Sequence, residues 1–326
     1  MSELSLVEAI NLALHRAMAE DARVLVLGED VGVDGGVFRA TDGLLTRYGE
    51  NRVLDTPLAE VAIAGVSVGL AAQGLRPVAE IQFTGFAYAC IDQLLNHAAR
   101  LRARTRGRLS CPMVLRSPAG GGIRAVEHHS ESPEAMFAHI PGLKVVIPSA
   151  PARAYGLLLS AIRDPDPVVF LEPTRLYRAA REDVVDDGAG LPLERCAVLR
   201  GGRDVTLVAW GAMVKEALAA ADAVAAEDIA AEVIDVVTLK PLDAATILDS
   251  VARTGRLVIV HEAPLTCGYG AEIAARVAGR ALMSLLAPIE RVAGYDTMMP
   301  YPRTEAYYMP SVARVTAAVR RTMAYA

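Results

Sequence analysis

Two adjacent histidines end a glycine-rich segment that is the first candidate in this chain for acid–base chemistry. Residues 117–133 read SPAGGGIRAVEHHSESP, which places His128 and His129 between Glu127 and Glu131. An imidazole near carboxylates can exchange protons close to neutral pH, and irregular segments often carry catalytic side chains. Adjacent histidines on an irregular segment lack a recognisable zinc spacing, so a metal site is the less favoured interpretation.

The three consecutive glycines of this segment, residues 120–122, do not complete a nucleotide-binding motif. A phosphate-binding P-loop would continue with Lys and then Ser or Thr, and a dinucleotide fingerprint would place GxGxxG after the first strand. The sequence contains neither pattern at these places. Binding of a nucleotide through either motif is therefore not predicted.

Glu60 is the second candidate, at the end of residues 55–60, which read DTPLAE. One interpretation is a helix start: Thr56 can cap it, Pro57 suits the first helical position, and an acid favours the positive end of the helix dipole. The other is catalytic. A small-residue helix that is buried would hold Glu60 in apolar surroundings, and the raised pKa of such a carboxylate suits it to sharing a proton with a ring nitrogen.

Strands and helices must alternate along the chain to position these segments. Apolar runs predict strands at residues 24–27, 78–82, 113–116, 144–147 and 168–172. Helical periodicity predicts helices at residues 4–18, 60–73, 89–102 and 152–163. This alternation is typical of a parallel, doubly wound sheet, so the predicted fold class is α/β.

A second set of alternating elements follows residues 179–200, which contain acids, glycines and a proline without a sustained apolar period. Further strands are predicted at residues 205–210, 231–237 and 257–261, each followed by a helix. We therefore expect two doubly wound domains, at residues 1–185 and 201–326, joined by a linker at residues 186–200.

The composition indicates a globular chain with a large core. Of 326 residues, 53% are hydrophobic and 22% are charged, which is enough for two domains. We find no apolar run of about 18 residues and no basic stretch before an apolar run, so we expect neither membrane insertion nor secretion. The four cysteines are scattered without a CxxC pair, which favours reduced thiols and a cytoplasmic location.

The charge of the chain argues against nucleic acid as a partner, because the formal net charge is -5. Five arginines at alternate positions from Arg100 to Arg108 nevertheless form a local basic run. This run is either a solvated surface or a docking surface for another subunit, and the sequence leaves both interpretations open.

Six segments, in order, resemble the β subunit of the decarboxylating component of 2-oxo acid dehydrogenase complexes. This family includes the pyruvate, branched-chain and acetoin enzymes. The segments are GEDVGVDGGVFRAT, RVLDTPLAEVAIAG, GLRPVAEIQF, HHSESPEAMFAHIPGLKVVIPS, AIRDPDPVVFLEPTRLYR and HEAPLTCGYGAEI. The resemblance implies an N-terminal pyrimidine-binding thiamine-diphosphate fold and a C-terminal transketolase-like domain.

The resemblance also implies roles for three residues at the pyrimidine end of thiamine diphosphate. Glu60 matches the glutamate that hydrogen-bonds the pyrimidine nitrogen and so promotes formation of the ylid. Phe86, which as an isolated residue would be read as core, matches the aromatic residue that stacks on the ring. Gln82 stands where the family commonly has a polar residue near the ring.

His129 matches the histidine of the family's YHSQSPEA-like segment, which lines the substrate channel and assists acyl transfer to a lipoyl group. This sequence departs from the family pattern beside it, because His128 replaces the usual Tyr and Glu131 replaces the usual Gln. The departure puts the pKa of His129 and the substrate preference in doubt.

Partners are implied by a motif that this sequence lacks. The family holds Mg²⁺ and the diphosphate with a Gly-Asp-Gly motif, and the nearest fragment here is Asp187-Gly188 without the preceding glycine. The Mg²⁺ ligands are hard oxygens, and we expect them from a separate α subunit. The resemblance therefore implies an α2β2 enzyme with a second β subunit and a lipoyl-bearing acyltransferase as partners.

A monovalent cation such as K⁺ is the other metal that the resemblance suggests, near Asp164 and Asp166. The sequence there reads DPDP, which is strong turn chemistry, so a plain turn is the favoured interpretation.

Three alternative functions remain open. An acetoin-cleaving dehydrogenase would share the cofactor and partners but not the substrate. A single-chain transketolase-like enzyme is disfavoured by the missing metal motif. A non-catalytic assembly subunit is disfavoured by the presence of Glu60, Phe86 and His129 together.

Overall fold

The computed structural model describes residues 2–325, which form two α/β units. The first unit contains the chain up to Ala119 together with Met136–Leu193. The second contains Gly120–Ala135 and the chain from Glu194 onward. The prediction of two α/β domains is confirmed. The segment that carries the histidine pair belongs by its contacts to the second unit, although the sequence around it belongs to the first.

The first part of the chain contains eight strands and seven α-helices within the described residues. The strands are β1 Ser2–Ser5, β2 Val24–Gly28, β3 Val53–Asp55, β4 Arg76–Glu80, β5 Val114–Ala119, β6 Lys144–Val146, β7 Val168–Pro173 and β8 Arg181–Val184. The helices are α1 Leu6–Glu20, α2 Leu44–Tyr48, α3 Glu60–Ala72, α4 Thr84–Ala87, α5 Leu101–Arg104, α6 Glu134–His139 and α7 Pro151–Arg163.

Six of these strands form one parallel sheet in the order β6-β7-β5-β4-β2-β3. The register of β2 against β4 runs from Val24 opposite Arg76 to Gly28 opposite Glu80. Strands β2, β5 and β7 are buried along their whole length. Continuous apolar runs are the pattern expected for parallel strands that are covered on both faces, which is why these strands could be predicted.

Helix α1 begins at a capping box. Ser5 and Glu8 bond reciprocally, and the backbone N–H of Ser5 donates to Glu8 Oε2 at 2.7 Å. The apolar face of α1 is buried and packs against α7. Strand β1 pairs antiparallel with β8, with Ser2 opposite Val184. Residues 181–184, which we expected to lack regular structure, therefore form one strand of a two-stranded sheet.

The continuous helix expected at residues 89–102 is replaced by short helical pieces. There are 3₁₀ turns at Tyr88–Cys90 and Ala98–Arg100, a π-helical turn at Gln93–His97, and then α5. The carbonyl of Ala99 lies against Gly142, where φ is +95° and any Cβ would collide with that carbonyl. The local hydrogen-bond spacing changes where this close backbone approach occurs. A helical apolar period contains no information about such a tertiary contact.

The second unit contains a five-stranded sheet in the order β14-β13-β10-β11-β9, in which only β9 is antiparallel. The strands of this unit are β9 Ala197–Arg200, β10 Val205–Ala209, β11 Ala231–Asp235, β12 Thr238–Lys240, β13 Leu257–Pro264 and β14 Glu290–Gly294, of which β12 is not part of the five-stranded sheet. The helices are α8 Met213–Ala225, α9 Ala244–Thr254, α10 Gly270–Ala281, α11 Glu305–Tyr308 and α12 Val312–Met323. Strand β9 lies inside the predicted linker, and the domain boundaries stay a prediction.

None of the helices in residues 2–325 is both long enough and apolar enough to cross a membrane.

Candidate active site

The carboxyl ends of the parallel strands in the first unit carry the first group of candidate residues. Glu29 directly follows β2, Glu60 begins α3 shortly after β3, and Gln82 follows β4. Because the carboxyl ends of parallel strands lie at one edge of the sheet, loops there commonly build binding sites in open α/β folds. This edge is therefore the place in the first unit where a ligand site is expected.

Glu60 is the first residue of α3, and its side chain is partly exposed. The helix opens with the backbone N–H of Ile63 donating to the Ala59 carbonyl at 3.0 Å. The carboxylate thus lies at the positive end of the helix dipole. A helix does start here, but the predicted cap is wrong: the helix begins at Glu60 with Ala59 as its N-cap, so Pro57 lies before it and Thr56 makes no capping hydrogen bond.

Glu29 is a neighbouring carboxylate that the sequence analysis did not single out. It is 5% exposed, and its Oε1 atom has no hydrogen-bond partner among residues 2–325. Burial, and after it the negative charge of Glu60, raises the pKa of Glu29. The hydroxyl of Thr56, whose backbone N–H donates to the Gly28 carbonyl at 3.0 Å, is also buried and unpaired within the described chain. This edge of the sheet therefore contains polar atoms that a bound ligand could satisfy.

Gln82 and Phe86 are held by contacts within the first unit. The side-chain amide of Gln82 donates to Asp30 Oδ2 at 2.9 Å. Phe86 lies in α4 and meets Phe83 edge to face, with the ring centroids 6.3 Å apart. Phe83 in turn contacts Phe38 at 5.4 Å. An aromatic ring supported by further rings in this way has a defined orientation, which stacking on a flat ligand requires.

His129 lies in the second unit, in the 3₁₀ turn Glu127–His129. Its ring centroid is 4.6 Å from that of His128, whose Nδ1 is 3.5 Å from Glu127 Oε1. Burial, and after it the positive charge of His128, lowers the pKa of His129, while Glu127 opposes the shift. The imidazole is therefore neutral near pH 7 and can accept a proton.

A buried ion-pair network in the first unit was also missed from the sequence. Arg116 is 1% exposed and binds Glu172 through two parallel bonds of 2.7 and 2.6 Å. Arg116 also pairs with buried Glu80, and the Tyr177 hydroxyl donates to Glu172. The available signal was a charged residue within each of three apolar strands, since charges are seldom buried without partners.

Asp164 and Asp166 form a turn in which the backbone N–H of Asp166 donates to Asp164 Oδ1 at 2.9 Å. Asp164 pairs with Lys144, and Asp166 pairs with Arg102 at 2.6 Å. These contacts are those of the favoured turn interpretation, and the cation site stays a prediction. Residues 2–325 contain no group of three or more His, Cys, Asp or Glu side chains arranged to hold a metal ion.

The comparison with family models divides the chain in two. Residues 2–180 match the model described as transketolase, pyrimidine binding domain, and residues 194–315 match transketolase, C-terminal domain.

Several relatives match over almost their full length. The pyruvate dehydrogenase E1 component subunit beta of Acholeplasma laidlawii is 49% identical and is covered over 98% of both chains. The protein of the same name from Bacillus subtilis is 46% identical over 100% of both chains. The 3-methyl-2-oxobutanoate dehydrogenase subunit beta of Mycobacterium tuberculosis is 49% identical, over 98% of this chain and 92% of that protein.

A solved structure described as a split gene transketolase, inactive beta4 tetramer, is similar in fold. It superposes with a TM-score of 0.82 over 99% of both chains, at 24% sequence identity. At that identity the likeness supports the two-domain fold alone.

Proposed function

The chain belongs to the family of 2-oxo acid dehydrogenase E1 beta subunits, and we propose that it forms half of a thiamine-diphosphate-dependent enzyme that oxidatively decarboxylates a 2-oxo acid. The matches to the relatives confirm the resemblance carried by the six sequence segments. A pyruvate and a 3-methyl-2-oxobutanoate enzyme subunit are both 49% identical to this chain. We therefore propose a 2-oxo acid as the substrate class, and turnover measurements on individual acids would identify which one is used.

The observation that carries this proposal is the unpaired, buried Glu29 oxygen beside Glu60, within the residues that match a pyrimidine-binding domain. A buried acceptor without a donor destabilises the folded chain by roughly 1–3 kcal/mol unless a ligand or water satisfies it. An aminopyrimidine offers N–H donors and a flat ring. The edge of the sheet offers carboxylate acceptors and Phe86, so the residues present fit that group.

Glu60, Phe86 and Gln82 are the residues of this chain that would hold the pyrimidine end of thiamine diphosphate. Glu60 would share a proton with a pyrimidine ring nitrogen, and Phe86 would stack on the ring. Gln82 is held by Asp30 at the same strand ends. When bound, thiamine diphosphate supplies the electron sink that cleavage of the carbon–carbon bond requires.

His129 would serve the acyl-transfer half of the reaction. In that reaction the bond from the 2-oxo carbon to the carboxylate breaks with loss of CO₂. The acyl carbon is oxidised to the level of a thioester, while the lipoyl disulfide is reduced to one thioester and one thiol. A neutral imidazole such as that of His129 can accept a proton and return it to the departing sulfur.

An α subunit is the partner that this proposal requires. The sequence contains no Gly-Asp-Gly, so we assign the Mg²⁺ ligands to the α chain. We further propose a second β subunit and a lipoyl-bearing acyltransferase as partners, with K⁺ as an optional structural ion near Asp164. All four cysteines are free, which fits a reducing compartment, and we propose a cytoplasmic location.

Dye-coupled oxidation by this chain co-purified with its α subunit tests the proposal. The substrates are pyruvate, 3-methyl-2-oxobutanoate, 4-methyl-2-oxopentanoate and acetoin, each with and without thiamine diphosphate and Mg²⁺. We expect turnover of a 2-oxo acid that depends on the cofactor. Turnover of acetoin alone would replace the proposed substrate class, and a folded complex that turns over none of the four would support a non-catalytic subunit.

A further inference from the structure

Two buried carboxylates of the second unit, those of Glu262 and Glu305, accept hydrogen bonds from the backbone of the glycine segment. We propose that they are positioning residues, which fix the segment so that His129 is correctly placed for acyl transfer. This inference rests on the role proposed above for His129. According to this inference, the position of His129 is determined by two residues that are distant from it in the sequence.

Glu262 holds the first part of the segment. It lies in β13, is 9% exposed, and accepts the backbone N–H of Gly121 at its Oε2 atom, at 3.0 Å. The same oxygen would be 2.6 Å from a Cβ placed on Gly120, where φ is +83°. Glycine at position 120 therefore satisfies two requirements at once: a left-handed backbone and close approach of a carboxylate.

Glu305 holds the next part of the segment. It is 6% exposed, and its Oε1 atom accepts the backbone N–H of Gly122 at 2.8 Å. The backbone N–H of Arg124 points at both carboxylate oxygens, 3.3 Å from Oε1 and 3.2 Å from Oε2. Gly122 and Arg124 both have positive φ, of 82° and 59°. A backbone with left-handed residues can turn successive N–H groups toward one anion, and bonds to an ionised acceptor are stronger than neutral ones.

A backbone hydrogen bond joins the two ends of the segment. The N–H of Gly120 donates to the Glu131 carbonyl at 2.9 Å, which makes residues 120–131 a loop. Within the loop, the N–H of His129 donates to the Val126 carbonyl at 3.0 Å. The carboxylates therefore fix one limb of a closed loop, and the turn that carries His129 lies on the other limb.

This arrangement explains the three consecutive glycines that match no nucleotide motif. Gly120 and Gly122 have left-handed φ values, and a Cβ on Gly121 would require the flexible end of the Met299 side chain to move. In a P-loop such amides bind a ligand phosphate. In this chain the backbone amides bind carboxylates of the protein itself, 141 residues away for Gly121 and 183 for Gly122.

The hydrogen bonds from the loop backbone to Glu262 and Glu305 are called the clamp below. Losing the clamp is expected to misplace the His129 side chain. A displacement of about 1 Å at a catalytic group can slow a reaction by around a hundredfold. We therefore expect Glu305→Ala to slow reductive acylation of a lipoyl domain by roughly tenfold or more. The dye-coupled rate, which does not use the lipoyl group, should fall less.

The test is a double-mutant cycle between Glu305→Ala and His129→Ala in the co-purified complex, measuring both rates for each variant. If Glu305 acts through His129, each single variant lowers the ratio of lipoyl to dye rates, and the double variant is no slower than His129→Ala alone. Additive losses would overturn the proposal, because they would mean that Glu305 acts independently of His129. Glu272→Ala is the matched control, since Glu272 is an exposed glutamate paired only with Arg276 on its own helix in the described structure.

The lipoyl-transfer rates of the two single variants distinguish a failure of this inference from a failure of the proposed function. Unchanged lipoyl transfer in His129→Ala would overturn the role of the histidine itself. A slowed lipoyl transfer in His129→Ala with an unchanged rate in Glu305→Ala would overturn only the clamp.

Where Glu305→Ala fails to assemble, Glu305→Gln replaces it, because the amide keeps one acceptor oxygen and should restore part of the rate. Hydrogen exchange at Gly122 and Arg124 must also accelerate when Glu305 is replaced, and unchanged protection would contradict the clamp directly.

Discussion

The two units bury carboxylates in different ways. In the first unit, Glu80 and Glu172 are neutralised by the Arg116 guanidinium, so side chain meets side chain between neighbouring strands. In the second unit, Glu262 and Glu305 are satisfied by backbone N–H groups of a loop. The first arrangement joins elements that the parallel sheet already holds together. The second determines the path of a segment that has no strand or long helix of its own.

This difference predicts different consequences for mutation. Removing a partner from the ion-pair network leaves a buried charge and should reduce stability. Removing a carboxylate that binds backbone amides should first change where the loop lies, and with it the chemistry of His129.

Replacing Arg116 by Met should have the largest effect on stability. The change leaves Glu80 and Glu172 buried without a cation, and breaking such a pair typically costs about 3–5 kcal/mol. Hydrogen exchange of the amides in β4, β5 and β7 in the complex measures the local free energy of opening. A loss below about 1 kcal/mol would show that water or protonation compensates the carboxylates. A triple apolar replacement of Glu80, Arg116 and Glu172 is the control, and it should recover most of the loss.

Replacing Glu134 by Gln should remove a pH dependence from the second unit. Burial raises the pKa of Glu134 from 4.5 to about 7, and its Oε1 accepts the indole N–H of Trp210 at 3.2 Å. Between pH 4.5 and 7 the unfolded chain binds fewer protons here than the folded chain, so the wild type loses stability as the pH rises. The shift corresponds to roughly 3 kcal/mol at the upper end of this window.

The Gln variant keeps an acceptor for Trp210 and has no proton to lose. Its thermal midpoint should match that of the wild type near pH 4.5 and exceed it increasingly up to about pH 7. A constant difference between the two proteins across this range would contradict the assignment. His261, which stacks on Trp210 with centroids 5.2 Å apart, provides the opposite slope. Burial lowers its pKa to about 4, so its contribution is lost as the pH falls.

Replacing Gly120 by Ala should destabilise the protein more than replacing Gly74 by Ala. Both glycines have positive φ, of +83° and +90°, so both substitutions carry the same backbone strain of about 1–2 kcal/mol. A Cβ on Gly120 would also displace the Glu262 carboxylate, whereas a Cβ on Gly74 meets no atom within 4 Å. The additional loss should be about 1 kcal/mol, the scale of one hydrogen bond. Equal shifts in the thermal midpoint would mean that Glu262 adapts without losing its contact.

Replacing Asp166 by Asn should have the smallest effect. The side chain of its partner Arg102 is 45% exposed, and surface ion pairs of this kind contribute about 0–1 kcal/mol. Thermal unfolding with and without 100-fold excess K⁺ over the protein measures both the loss and any role of this turn in cation binding. A shift that depends on K⁺ in the wild type and disappears in the variant would favour the cation site over the plain turn.

The parallel sheet and a helix start close to Glu60 could be predicted from the sequence. Residues 24–27 lie within β2, which is buried along its whole length, and the apolar pattern alone predicted them as a strand. Glu60 could be recognised because the residues around it form both a helix start and a family motif. These features are local, since propensity, capping and apolar period act over a few residues.

The contacts that hold His129 could not be predicted in the same way. Glu305 lies 183 residues from Gly122, and no local pattern links a glutamate at the start of a short helix to the amide of that glycine. The pairing of Arg116 with Glu80 and Glu172 depends likewise on strand order rather than on sequence spacing. The sequence offers two signals, consecutive glycines that match no motif and charged residues within apolar strands, and each indicates that a partner exists without identifying it.

The central claim is that this chain contributes Glu60 to a thiamine-diphosphate site, and Glu60→Gln in the co-purified complex tests it most directly. The measurement is the cofactor-dependent, dye-coupled rate with the preferred 2-oxo acid, and Glu50→Gln, which changes an exposed glutamate of the same unit, is the matched control. We predict a loss on the order of a hundredfold or more for Glu60→Gln, the scale of a lost proton-transfer partner, and no change for Glu50→Gln. Undiminished turnover in the Glu60→Gln complex would contradict the account.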